Sequence, residues 1–80
     1  MQTKAYILIE TAVGESNTVV DSLRQIPGMR NVDPVTGPYD IIATIEASDL
    51  NAVGDVITSD IHTISGIIRT VTCLSLGPLA

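Results

Sequence analysis

Tyr39 and Asp40 stand directly after the turn Thr36-Gly37-Pro38, inside the run VTGPYDIIATIEASDL at residues 35–50. Gly37 permits the turn, Pro38 fixes φ, and Tyr39 offers an apolar body with a hydroxyl at its tip. Such a group can form the lip of a polar ligand site, or Asp40 can simply bond backbone N–H groups of its own turn. Thr70 and Thr72 form a second candidate: at i, i+2 on an extended segment they present two hydroxyls on one face. The ordinary preference of threonine for strands accounts for them equally well. Together with the polar helix end TSDIHT at 58–63, the two threonines could line a small polar pocket.

Catalytic chemistry finds less support. His62 is the single histidine, and no Ser, Cys or acid stands at a spacing that marks a catalytic partner; Asp60, two residues away, sits at what reads as a helix end. His62 therefore reads as a surface-loop residue. Cys73, between Thr72 and Leu74, reads as a small buried hydrophobe in the last strand. A single cysteine excludes an intrachain disulfide and any multi-cysteine metal site. Gly14 stands alone before the first helix, and neither phosphate-cradling glycine pattern occurs. No catalytic residue, metal ligand or cofactor is assigned, and the chain is expected not to be an enzyme.

The elements that must position these residues follow from periodicity. KAYILIE (4–10) is β-branched and aliphatic and ends at TAVGES, which marks a strand and a turn. In ESNTVVDSLRQI, Val19, Leu23 and Ile26 make one helical stripe, stopped by Pro27-Gly28. MRNVDPV is extended, and Pro34, lacking an N–H, assigns it to a sheet edge. YDIIATIEA is a third strand, and Ser48 is the natural N-cap of a helix DLNAVGDVITSDI, with Leu50, Val53, Ile57 and Ile61 on one stripe. Gly54 weakens that helix by about 1 kcal/mol relative to Ala. GIIRTVTCLSL is the last strand, before Gly77-Pro78.

The order is βαββαβ, and its halves rhyme. Val19, Leu23, Ile26, Gly28 and Met29 recur 38 positions later as Ile57, Ile61, Ile64, Gly66 and Ile67. Two right-handed βαβ crossovers interleaved in one antiparallel sheet give an α+β, ferredoxin-like sandwich with both helices on one face. In the first strand Ala5, Ile7 and Ile9 oppose Tyr6 and Leu8, and in the third Ile41, Ala43 and Ile45 oppose Ile42 and Thr44, so both faces of the sheet are apolar. Two helices cover only one. The exposed face implies a second subunit, sheet against sheet.

Composition agrees. The chain has 80 residues, 45% of them hydrophobic, with neither Phe nor Trp, so a single small aliphatic core is expected, and more apolar side chains than it can bury alone. Nine acids stand against four dispersed cations, for a net charge of −5. Four separated cations cannot provide the counterion release that drives DNA binding, so no direct nucleic-acid contact is expected. No apolar run approaches the roughly 20 residues that span a bilayer, and the opening MQTKAYILIE is too short an apolar stretch for a signal peptide, which makes the cytoplasm the default.

At AYILIE, LRQIPGMRNVDPVTGPYDIIATIEASDL with its G-x-Y-D turn, and ISGIIRTVTCLSL with its T-x-T pair, the sequence resembles the effector-binding (RAM) domain of the Lrp/AsnC, or feast/famine, transcription regulators. The resemblance runs from end to end, making residues 1–80 a single domain. It implies a ferredoxin-like fold, sheet-to-sheet homodimers, rings of dimers that are commonly octamers, and amino-acid effectors bound between dimers. It implies effector roles for Gly37, Tyr39, Asp40, Thr70 and Thr72, and for Asp60 near the end of the second helix. Because the first strand follows Met1 almost at once, the sequence is closer to the stand-alone form without a helix-turn-helix. Any role in transcription would then be indirect, through co-assembly with full-length relatives. Two other readings stand beside this one: a ligand-free assembly adaptor, and a small dimeric α/β-barrel enzyme.

Overall fold

Alternation along the chain and the two glycine stops produce four strands and two helices. The computed structural model describes residues 2–77. They form β1 (Thr3–Thr11), α1 (Ser16–Arg24), β2 (Met29–Pro34), β3 (Ile41–Ala47), α2 (Leu50–Asp55) continued by a π-helical segment Val56–Ile61, and β4 (Ile67–Leu74). The strands pair in the order β2-β3-β1-β4, all antiparallel, which is the ferredoxin-like sandwich the sequence implies. Pro34 closes β2 at the sheet edge, where no neighbour requires its missing N–H.

The core lies under the helices. Ala5, Ile7 and Ile9 of β1 and Ile41, Ala43 and Ile45 of β3 are buried against Val19, Val20 and Leu23 of α1 and Val53 and Ile61 of the second helix. Each aliphatic side chain of this size contributes about 1.5–3 kcal/mol by leaving water. The opposite set faces away from the helices: Tyr6 and Leu8 stand across from Cys73 and Val71 on one side and from Thr44 and Ile42 on the other, with Tyr6, Cys73 and Val71 exposed, Leu8 and Ile42 half-buried and Thr44 buried between its neighbours.

The repeat is a repeat of turn geometry. Ile26 N–H bonds Leu23 O at 3.1 Å, and Ile64 N–H bonds Ile61 O at 3.1 Å. Gly28 (φ +88°) and Gly66 (φ +100°) both need backbone that other residues adopt at a cost. Their carbonyls accept from Glu46 N (3.0 Å) and Ala12 N (2.8 Å), tying each helix exit to a neighbouring strand end.

Five details differ from the sequence reading. The second helix is capped by Asp49, whose Oδ1 accepts from Ala52 N at 2.8 Å, and not by Ser48; the carboxylate is the acceptor at the position directly before Leu50. Its second half is π-wound, with His62 N–H reaching back five residues to Ile57 O at 2.9 Å, and Leu50, 56% exposed, stands outside the core stripe. Cys73 is exposed because β4 is an edge strand and the residue points to the side no helix covers. Strand β3 begins at Ile41, leaving Tyr39 and Asp40 in the preceding bend. Pro78, expected to follow the last strand, lies outside the described residues.

Candidate functional site

Asp40 is set by the pairing of β3 with β1. Ile9 stands opposite Ile41, and one step beyond, Asp40 N–H donates to Ile9 O at 2.9 Å. Its carboxylate therefore arrives at Thr11, where the β1–β4 register shifts. Asp40 Oδ2 accepts from Thr11 N at 2.8 Å and from Thr11 Oγ1 at 3.2 Å, and the Thr11 and Ser16 hydroxyls are 2.8 Å apart. The Asp40 carboxylate thus bonds the neighbouring strand, while its backbone carbonyl closes its own turn by accepting from Val35 N at 2.9 Å. The chain of contacts links the G-x-Y-D bend, the end of β1 and the first residue of α1.

Tyr39 belongs to the uncovered face of the sheet. Arg69 Cζ lies 5.8 Å from its ring centroid, and Arg69 Nε pairs with Glu10 Oε1 at 3.5 Å. Gly37, at φ +152° with open space around it, sits at the exposed tip of the same loop. Tyr39, Glu10 and Arg69 form one patch.

Thr70 and Thr72 form another, on the opposite face. They stand across from Ile9 and Ile7, whose side chains turn toward the helices, so the two hydroxyls share the helical side at the β4 edge. Thr72 is exposed and Thr70 half-buried. His62, directly after the π-helical segment, brings Nε2 within 3.2 Å of Thr70 Oγ1. Asp60 is exposed on that same helical end, and its carbonyl accepts from Thr63 Oγ1 at 3.2 Å.

Both patches lie at one end of the sheet, flanking Ile9: Asp40 binds its carbonyl, and Thr70 is its partner on β4. Sequence reasoning singled out neither Thr11 nor Arg69, and met His62 only as a surface-loop residue within the polar helix end TSDIHT. Thr11 was recoverable from the register that a β1–β3 pairing imposes; the π turn that leads into His62 is one that periodicity does not signal. A separate cavity of about 370 Å³ runs along Arg24, Met29, Arg30, Asn31, Val32 and Asp33 and shares none of these residues. Among the described residues no cluster of three His, Cys, Asp or Glu could hold a metal ion, and no helix is long and apolar enough to cross a membrane.

Comparison with known proteins gives the arrangement its context. An HTH-type transcriptional regulator of Pyrococcus furiosus is 30% identical over 76 residues, covering 91% of this chain and 51% of the regulator. The chain spans about half the length of the curated relatives it matches. A crystal structure from Thermus thermophilus superposes with a TM-score of 0.89 at 29% identity, covering 94% of both chains. A Neisseria meningitidis transcriptional regulator solved with L-methionine shares the fold, with a TM-score of 0.85 at 16% identity over 98% of this chain and 52% of that one. The Lrp/AsnC ligand binding domain matches residues 4–79, nearly the whole sequence, and the chain belongs to that family.

Proposed function

We propose that this chain is an amino-acid-binding and oligomerisation unit of the Lrp/AsnC type, with its ligand held between subunits. The observation that carries the reading is the division of the candidate residues. Thr70 and Thr72 occupy the helical side of the β4 edge, and Asp60 is exposed on the helical end whose His62 meets Thr70, whereas Tyr39 sits with Arg69 toward the other face and Gly37 is exposed in the loop before it. A ligand touching both patches is shared by two copies of the chain. An amino acid needs acceptors for its ammonium and donors for its carboxylate; Asp60 supplies the former, the threonine hydroxyls the latter. The L-methionine held by the Neisseria relative supports the ligand class.

The uncovered sheet face supports assembly. Tyr6, Leu8, Ile42 and Val71 form its apolar middle, and ion pairs Arg30–Glu46 and Arg69–Glu10, each 3.5 Å, stand at opposite ends of the strands. An apolar centre with a charged rim is the anatomy of a protein interface. The four dispersed cations of these 80 residues give this domain itself no basis for holding DNA.

A thermal-shift screen of the twenty amino acids tests the reading. A ligand at about a hundred times its Kd stabilises the native state by about 2.7 kcal/mol, which raises the midpoint of a domain this size by about 10–20 °C. Thr72→Val should then weaken binding roughly tenfold to hundredfold, the effect of removing a hydrogen bond to a charged group. An oligomer that responds to none of the twenty is a ligand-free adaptor.

A further inference from the structure

We propose that His62 is a positioning residue of this site: its Nε2–H donates to Thr70 Oγ1 and leaves the hydroxyl's own proton to turn outward, toward the anionic end of the ligand. The inference rests on the reading of Asp60, Thr70 and Thr72 as ligand-facing, and adds how one of them acquires its polarity.

Three observations carry it. His62 Nε2 and Thr70 Oγ1 are 3.2 Å apart, on two elements that the chain joins through the Gly66 turn. The segment Val56–Ile61 that leads into His62 is π-wound: the bond from His62 N to Ile57 O reaches back five residues, one more than in an α-helix. Such insertions occur often at functional sites. Finally, the ring lies at the C-terminal end of a helix, where outward carbonyls favour donors; Thr63 Oγ1 already donates there to Ser59 O at 3.0 Å and to Asp60 O at 3.2 Å.

The polarity matters because a hydroxyl has one proton and a neutral imidazole has one donor and one acceptor. If Nε2 accepted, the Thr70 proton would be held by the ring and the hydroxyl would offer only lone pairs, which suit an ammonium. Asp60 on the adjoining helical end already provides an acceptor. With Nε2–H donating, Thr70 becomes the complementary donor, and the two ends of a zwitterion are told apart.

His62 is the only histidine, so its ring nitrogens are identified without ambiguity in a ¹⁵N spectrum. The expected spectrum has a protonated Nε2 and an unprotonated Nδ1, with the Nε2 resonance moving in Thr70→Val. Calorimetry then compares wild type, His62→Ala and His62→Gln, each titrated with the amino acid selected from the twenty and with its α-amide. His62→Ala should lose roughly three- to tenfold in affinity for the amino acid, with little change for the amide. His62→Gln, which keeps an N–H at similar reach, should recover most of the loss. An Nδ1–H tautomer, equal losses for acid and amide, or no recovery in His62→Gln overturns the proposal. So does a His62→Ala protein that binds as wild type, while the amino-acid reading survives. A wild-type protein that binds none of the twenty removes both.

Discussion

The carboxylate of Asp40 takes the N–H and the hydroxyl of Thr11 at the point where β1 leaves its register with β4. A charged acceptor with two donors is a strong local tie, and its position in the chain suggests binding chemistry only because a turn precedes it. Asp40→Ala should therefore lower stability by about 1.5–3 kcal/mol in urea denaturation, and Asp40→Asn, which keeps one acceptor oxygen, by less. If Asp40→Ala unfolds at the wild-type urea concentration, the tie is not a stabilising one. Residue types left Asp40 two roles, the lip of a ligand site or an acceptor for backbone N–H groups, and pointed the second to its own turn because spacing shows only local partners. Thr11 is 29 positions away and comes within reach through pairing. The hydroxyls of Thr70 and Thr72 were legible as a pair on one face, since strand alternation is strict. Which face it was could not be read, because both alternating sets of the sheet are apolar.

Elements were legible where period and stop signals agreed, as in α1, where the stripe ends at Pro27-Gly28, and in β2, where Pro34 selects the edge. The second helix was harder. Its apolar residues satisfy an α-helical spacing, yet the segment rich in β-branched residues winds as a π-helix from Val56 and carries His62 to the β4 edge. Two glycines separate the local from the tertiary contribution here. Gly54 lies in the helix with open space about its Cα, so Gly54→Ala should raise stability by about 0.5–1 kcal/mol. Gly28 has φ +88°, and a Cβ there would come within 2.9 Å of Glu46 O, a backbone atom that cannot swing away. Gly28→Ala should cost at least about 1–3 kcal/mol from conformation alone. Thermal denaturation of the two variants should move in opposite directions; a stabilised Gly28→Ala would show that the turn relaxes freely.

At the scale of the molecule, the alternation that hid the orientation of Thr70 and Thr72 is itself informative, because a sheet apolar on both sides has more to bury than two helices cover. In the isolated chain Tyr6 and Val71 are each 37% exposed, and Leu8, on the central strand between Val71 and Ile42, occupies the middle of that surface. A domain of 80 residues buries only a modest share of its surface alone. If two sheets close on each other, folding and association are linked, and dilution lowers the thermal midpoint. Leu8→Asp sets a charge at the centre of the contact with no partner to neutralise it, whereas the Arg30–Glu46 and Arg69–Glu10 pairs at the rim are exposed, and each contributes at most about 1 kcal/mol. The expected outcome is that wild type scatters as a dimer or a multiple of dimers at micromolar concentration and keeps that state in high salt. Leu8→Asp should scatter as a monomer whose midpoint no longer depends on concentration. Charge reversal at Arg69 should leave the dimer assembled, since the rim excludes water more than it binds. A wild-type chain that scatters as a monomer under these conditions would leave the apolar face without its second copy, and with it the shared ligand site.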